Sequence, residues 1–334
     1  MSGGRDPRDI LVAGAGAIGQ FIGARLQQGG HLVTLLTRET HAAAIRKDGL
    51  QIHGATSLHG HVECITSPSQ ATRRYDAIVL TCKAHATAAL AKDVAALLAD
   101  DGVAVSLQNG FGNGAKLARF VPPSRVAVAI TSHGVMVERP GVLVHAGVGG
   151  TFVGPLDAAS TAAAERASSL LADAGLEPVS QADMRSAVWR KALVNHAVNP
   201  LAAIHGLSNG QVLDGSWWRT CHDLAQEGFA VARAAGVPLP DVSTPAGLVE
   251  VVRETLGRTR ANRNSMVQDL AAQKPTEVEQ ISGRLVRLAR RLGHPAFASE
   301  DIYHQLKDVE ARYLGGATSL QMTKDEVAWE TESF

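Results

Sequence analysis

The chain has 334 residues, 45% apolar and 19% charged, with 32 basic residues balanced by 32 acidic ones. That length exceeds what one core usually organises, so two domains are expected, and the neutral balance removes the electrostatic case for a nucleic-acid or anionic-membrane partner. No apolar run is long enough to span a bilayer, and Cys64, Cys82 and Cys221 are odd in number, scattered and outside any metal spacing. A reduced, cytoplasmic protein without structural disulfides or a bound metal is the expectation.

In chain order, short apolar runs at 10–13, 32–37, 77–81, 103–107 and 126–130 alternate with helical patterns at 19–28, 42–47, 86–98 and 115–120. This alternation predicts a parallel sheet covered by helices on both faces. Residues 10–19 have the apolarity of a signal-peptide core. Their three glycines and the acidic Asp6 and Asp9 argue against that reading. Gly14-Ala15-Gly16-Ala17-Ile18-Gly19 instead joins the first strand to the first helix. In that setting the first glycine permits a tight turn, the second lets backbone approach a pyrophosphate, and the third lets helix and strand pack closely. A Rossmann-type dinucleotide domain follows.

The second strand ends at Arg38, where an NAD enzyme usually places an acidic residue for the ribose hydroxyls. A guanidinium suits a 2′-phosphate, which favours NADP(H). The competing reading makes Arg38 a surface side chain and Glu39 the ribose ligand. Lys83 and Asn109 follow the third and fourth of these strands, at the ends where open α/β sheets hold ligands. A solvated lysine and an ordinary Asn109-Gly110 turn are the plain alternatives. Beyond, 142–145 and 151–154 flank Gly147, Gly149 and Gly150 and read as an antiparallel pair extending the sheet, followed by a helix at 158–174 and a closing strand at 177–180.

Strand signals nearly vanish after a boundary placed near Ala182, giving domains at 1–182 and 183–315 and a polar tail at 316–334. Helices are predicted at 183–199, 217–235, 244–258, 276–292 and near 299–313. Lys191, Asn195 and Asn199 recur every fourth residue among apolar neighbours and share one stripe of the first. Burying them without partners would cost several kcal/mol, so the stripe reads as a wall of a substrate site. Lys191 suits a proton donor to a carbonyl being reduced, because burial lowers an ammonium pKa. The bland alternative is a snorkelling lysine beside capping asparagines, with Asn199 ending the helix before Pro200. Asn262 and Ser265 open a second polar constellation suited to a carboxylate. Thr276-Glu277-Val278-Glu279 has capping-box spacing, with Glu277 a dipole partner and Val278, Ile281, Leu285, Leu288 and Leu292 the buried face. His133 and His196 read as packing or solvent-facing residues. Leu248, Val251, Val252 and Leu256 offer an apolar face to a possible homodimer.

These residues together resemble the ketopantoate reductase (2-dehydropantoate 2-reductase) family. The likeness rests on the glycine turn with Arg38, Thr81-Cys82-Lys83, Gln108-Asn109-Gly110 and Thr131-Ser132-His133. It continues through Lys191-x3-Asn195-x3-Asn199-Pro200, Ser208-Asn209-Gly210, Ser265-Met266-Val267-Gln268-Asp269 and 276–283. The lysine-x3-asparagine part is shared with the wider 6-phosphogluconate dehydrogenases, and the resemblance implies an all-α second domain of that C-terminal type. It implies NADPH-dependent reduction of ketopantoate to (R)-pantoate, toward pantothenate and coenzyme A, with Lys191 as proton donor. Asn109, Asn195, Asn199, Asn209, Asn262 and Ser265 would bind substrate. The glycine turn, Arg38, Lys83, Asn109, Val135 and, through the ribose, Glu277 would bind cofactor. Ser282-Gly283 departs from the Asn-Gly of many members, and Gln108 from the His of some. A reductase of another 2-keto acid or imine, or an NADP(H)-sensing protein without turnover, would share most of these features.

Overall fold

The computed structural model describes residues 6–314, and the predicted tail at 316–334 lies outside them. By contact density the chain divides into two units, one ending at Met184 and the other starting at Arg185. The strands of the first unit are β1 (Asp9–Ala13), β2 (Leu32–Leu36), β3 (Leu50–Gly54), β4 (Leu58–Gly60), β5 (Glu63–Ile65), β6 (Tyr75–Leu80), β7 (Leu98–Leu107), β8 (Val126–Thr131), β9 (Gly134–Arg139), β10 (Val142–Gly147), β11 (Thr151–Pro155) and β12 (Val179–Ser180). Its helices are α1 (Ala17–Gln28), α2 (Glu39–Asp48), α3 (Thr87–Val94), α4 (Asn113–Leu117) and α5 (Thr161–Asp173).

The main sheet has the order β12-β11-β8-β7-β6-β1-β2-β5, and only the β8–β11 pairing is antiparallel. The period-2 alternation of β1 sends Ile10 and Val12 to a core shared with α1 and α5, and Leu11 and Ala13 to a second core under α3 and α4. Strand order reverses between β1 and β6, so their carboxyl ends form the switch point at which such sheets bind ligands.

The glycine-flanked pair was predicted with the wrong partners. β11 does extend the main sheet, but beside β8, whereas β10 joins a separate sheet of order β4-β3-β10-β9. The chain changes sheets through 147–150, where a Cβ on Gly149 would lie 2.2 Å from the Ser132 carbonyl oxygen. Only glycine passes so close to that backbone. Strands β3, β4, β5 and β9 escaped prediction.

The second unit contains α6 (Met184–His205), α7 (Asn209–Asp214), α8 (Trp218–Ala234), α9 (Pro245–Arg258), α10 (Ser265–Ala271), a π-helical turn (Glu279–Gly283), α11 (Arg284–Arg291) and α12 (Phe297–Leu314). Helix α6 runs through Pro200 instead of ending at Asn199, and stops where Gly206 takes a φ of 63°. The expected 276–292 helix begins only at Glu279, with the π turn, whose extra residue rotates α11 after it. Leu285, Val286 and Ala289 are therefore buried, while Leu292 is 42% exposed. The capping box does not form either: Thr276 Oγ1 accepts the Val278 amide at 3.2 Å, but the Glu279 carboxylate binds Tyr303 and Arg287.

Of Leu248, Val251, Val252 and Leu256, read above as a dimer face, Val251 is half-buried and the other three are each 0% exposed and belong to the core of the helical unit. No helix among the described residues is long and apolar enough to cross a membrane. Leu248→Ala should lower the unfolding free energy by about 2–5 kcal/mol in a urea titration and leave the sedimentation coefficient unchanged. A changed oligomeric state at full stability would restore the dimer reading.

Candidate functional site

The glycine turn is built between β1 and α1. Gly14 has a φ of 76°, and a Cβ there would lie 2.5 Å from Cys82 Cβ and 2.9 Å from Cys82 Cα, so this turn touches the loop after β6. The Gly14 and Ala15 amides donate to the Leu36 carbonyl at 3.1 and 2.9 Å. Thr37 Oγ1 and Gln20 Nε2 both donate to the Ala15 carbonyl, at 2.9 and 3.1 Å. The turn is thus tied to the end of β2 before any ligand binds. A Cβ on Gly19 would meet Thr81 Oγ1 at 2.3 Å, the close helix–strand packing predicted for the third glycine. A Cβ on Gly16 would meet nothing within 4 Å. The amides of Ala17, Ile18 and Gly19 open α1 and have no intrahelical acceptor. Open space beside three convergent N–H groups at the positive end of a helix fits a pyrophosphate.

Arg38 is exposed at the start of α2. Its rival Glu39 is held by Arg46 at 3.1 Å. Lys83 is half-buried just after β6, and Asn109, also half-buried, follows β7. The Asn109-Gly110 turn has Gly110 at φ 82°, and the Asn109 carbonyl accepts from Asn113 Nδ2 at 2.8 Å. Gln108, which the sequence reading gave no role, latches the two loops. Its Nε2 donates to Thr87 Oγ1 at 2.7 Å and to the Cys82 carbonyl at 2.9 Å. Its burial beside two strand ends was not visible in a lone Gln-Asn-Gly. Val135 lies on edge strand β9 of the small sheet, paired with His145. His133, half-buried, places Nδ1 3.0 Å from His145 Nε2, and burial together with His145 pushes its pKa down to about 4.

In the helical unit, α6 places Lys191, Asn195 and Asn199 on one stripe, with Asn199 only 7% exposed. Burial pushes the Lys191 pKa down to about 8, against the opposing charge of Glu277. Glu277 is itself 5% exposed. Two residues read separately in the sequence are therefore electrostatic partners, and Glu277 is more than a dipole complement.

The segment around Glu277 is anchored on both sides. Glu310, 2% exposed, accepts from the Thr276 amide and hydroxyl, both at 2.7 Å, and Glu279 accepts from Tyr303 at 2.7 Å. Asn209 and Asn262 are brought together, the Asn209 amide donating to the Asn262 carbonyl at 2.9 Å. Asn209 Nδ2 donates to Thr259 at 2.7 Å, while its buried Oδ1 has no hydrogen-bond partner among the described residues. Ser265 is exposed in the first turn of α10, which Asn264 caps by accepting the Met266 and Val267 amides at 3.0 and 3.1 Å. That cap was missed although an Asn directly before a short apolar helix signals one.

With this geometry in hand, similarity decides the family. The family model "Ketopantoate reductase PanE/ApbA" matches residues 10–158, and its C-terminal counterpart matches 183–310. The chain belongs to the ketopantoate reductase family. A 2-dehydropantoate 2-reductase of Archaeoglobus fulgidus is 33% identical over 90% of this chain and 98% of its own length. A Halobacterium salinarum protein of the same name is 34% identical over 84% and 92%. The crystal structure of a family ketopantoate reductase from Ralstonia eutropha superposes with a TM-score of 0.82 at 29% identity, covering 92% of this chain and 99% of that one. A D-mandelate dehydrogenase solved with NADH and anilino(oxo)acetate shares the fold at TM-score 0.84 and 23% identity.

The glycines make separable predictions. Gly14→Ala should cost roughly 1–3 kcal/mol of stability in urea, because its φ and its contact with Cys82 both exclude a side chain. Gly16→Ala should fold normally yet bind a reduced nicotinamide dinucleotide at least about tenfold more weakly in a fluorescence titration, since its methyl would occupy the room beside the helix amides.

Proposed function

We propose that this chain is an NADPH-dependent 2-dehydropantoate 2-reductase, reducing ketopantoate to (R)-pantoate with Lys191 as the acid. The supporting observation is the Lys191 ammonium, lowered to about 8 by burial and partnered by the buried Glu277, on the same stripe as Asn195 and Asn199. An ammonium of that acidity holds a proton near neutrality and gives it up more readily than an exposed lysine.

The residues of the glycine turn suit the pyrophosphate, Arg38 the 2′-phosphate, and Lys83, Asn109 and Val135 the remainder of the dinucleotide. NADPH, when bound, supplies a hydride to the keto carbon. As the C–O double bond becomes a single bond, Lys191 Nζ donates a proton to the developing alkoxide oxygen and is left as a neutral amine, to be reprotonated from water. Asn195 and Asn199 orient the keto acid by donating and accepting hydrogen bonds without adding charge. Asn209, Asn262 and Ser265 take its hydroxyl and carboxylate. Glu277 keeps Lys191 protonated, and its carboxylate has acceptor capacity left for a ribose hydroxyl.

Lys191→Ala should abolish turnover in an NADPH oxidation assay while leaving NADPH affinity nearly unchanged. Surviving turnover would sink the proton-donor role. Because the acid must be protonated, kcat for reduction should fall as pH rises through about 8, approaching tenfold per unit above it. Arg38→Ala should weaken NADPH binding by about 10–100-fold and NADH binding hardly at all. Assay of NADPH oxidation with a panel of 2-keto acids checks the substrate. No preference for ketopantoate would shift the assignment to another keto acid of the same class.

A further inference from the structure

The helical unit contains a buried polar chain to which the reaction assigns no step. His196 is 1% exposed, with Nδ1 2.9 Å from Ser282 Oγ and Nε2 3.0 Å from Ser299 Oγ. Ser299 Oγ donates to Glu227 Oε2 at 2.7 Å, and the Ala298 and Ser299 amides donate to the same carboxylate at 3.0 and 2.8 Å. This direction sets the order of protons. Ser299 has directed its hydrogen to Glu227, so it accepts from Nε2–H. Nδ1 is then an acceptor, and Ser282 donates to it. Burial pushes the imidazole down to about 4, so it stays neutral and keeps this pattern near neutral pH.

The ends of the chain sit at informative places. His196 directly follows Asn195 on the helix that carries Lys191. Ser282, 0% exposed, lies in the π turn just beyond Glu277, whose wide bond runs from the Gly283 amide to the Val278 carbonyl at 2.9 Å. A π turn departs from regular helix geometry, so the angle of its side chains depends on what holds it. Helix α12 grips this segment through Glu310 and Tyr303, and the His196–Ser282 bond joins it to α6.

We propose that Ser282 and His196 are positioning residues, whose bond sets the register of the π turn against α6 and thereby holds the Glu277 carboxylate at its working separation from the Lys191 ammonium. Neither touches the reacting atoms. The proposal rests on the reading of Lys191 as the acid. Glu277 is the charge that raises the Lys191 pKa against desolvation, and the effect falls with distance. Loosening the bond therefore lowers that pKa and misplaces the acid.

The test is the pH profile of kcat for the full chain with NADPH and ketopantoate, with thermal unfolding measured beside it. Ser282→Ala should move the alkaline limb down by about half a pH unit and lower kcat about tenfold, with NADPH affinity unchanged. His196→Asn, whose Oδ1 can accept from Ser282 in place of Nδ1, should keep the limb, whereas His196→Gln should move it as Ser282→Ala does. A Ser282→Ala protein that melts earlier with an unmoved limb and full kcat overturns the proposal. Should Ser282→Ala not fold, identical limbs for His196→Asn and His196→Gln overturn it instead. Turnover surviving in Lys191→Ala overturns the acid assignment itself. An inactive Lys191→Ala beside an unmoved Ser282→Ala limb overturns only the positioning role.

Discussion

Taking the Lys191 ammonium out of water costs several kcal/mol, and the helical unit recovers part of that through the charge of Glu277. Much of the unit's buried polarity is arranged around this balance. Thr276, Glu277, Ser282, Ser299, Glu310, His196 and Asn199 are all less than 9% exposed, and Thr276, Ser282, Glu310 and His196 hold or flank the segment carrying the carboxylate. Two charges in a low-dielectric setting interact strongly, but only a fixed separation makes the result a defined pKa. The hydrogen bonds to Thr276, Glu279 and Ser282 supply that fixity.

The sheet unit differs in presenting backbone amides instead of charged side chains at its glycine turn. Its central strands β1, β6, β7 and β8 feed apolar core on both faces, so polar groups are left to the loops at the switch point between β1 and β6. Those loops are held by neutral hydrogen bonds: Thr37 and Gln20 on the Ala15 carbonyl, Gln108 on Thr87 and Cys82. The glycine turn is thus braced from both sides, and the guanidinium of Arg38 stays exposed at the start of α2.

Much of the fold was legible because its central elements are locally self-consistent. β1, β2, β6, β7 and β8 are short apolar runs, and α8 and α9 carry clear periodicity. Of the small sheet only β10 was legible. Gln51, His53, His59 and Glu138 lie in its strands, and its exposed positions blur the alternation that marks a half-buried strand. Pro200 misled in the opposite direction: as a local breaker it argued for a helix end, but packing of α6 carries the helix past it.

The sequence by itself determined the family, the glycine turn and the Lys191–Asn199 stripe, because each depends on residue type at short spacing. Tertiary structure alone decided three further things. It paired β10 with β3, far away in the chain, and with its hairpin neighbour β9, instead of with β11. It inserted the π turn that rotates α11 and buries Val286 and Ala289 where Leu288 and Leu292 were expected. It brought Glu277 into electrostatic contact with Lys191 across more than 80 residues of chain. A long-range charge pair leaves no periodic trace, so the spacing that revealed the lysine could not reveal the carboxylate that tunes it.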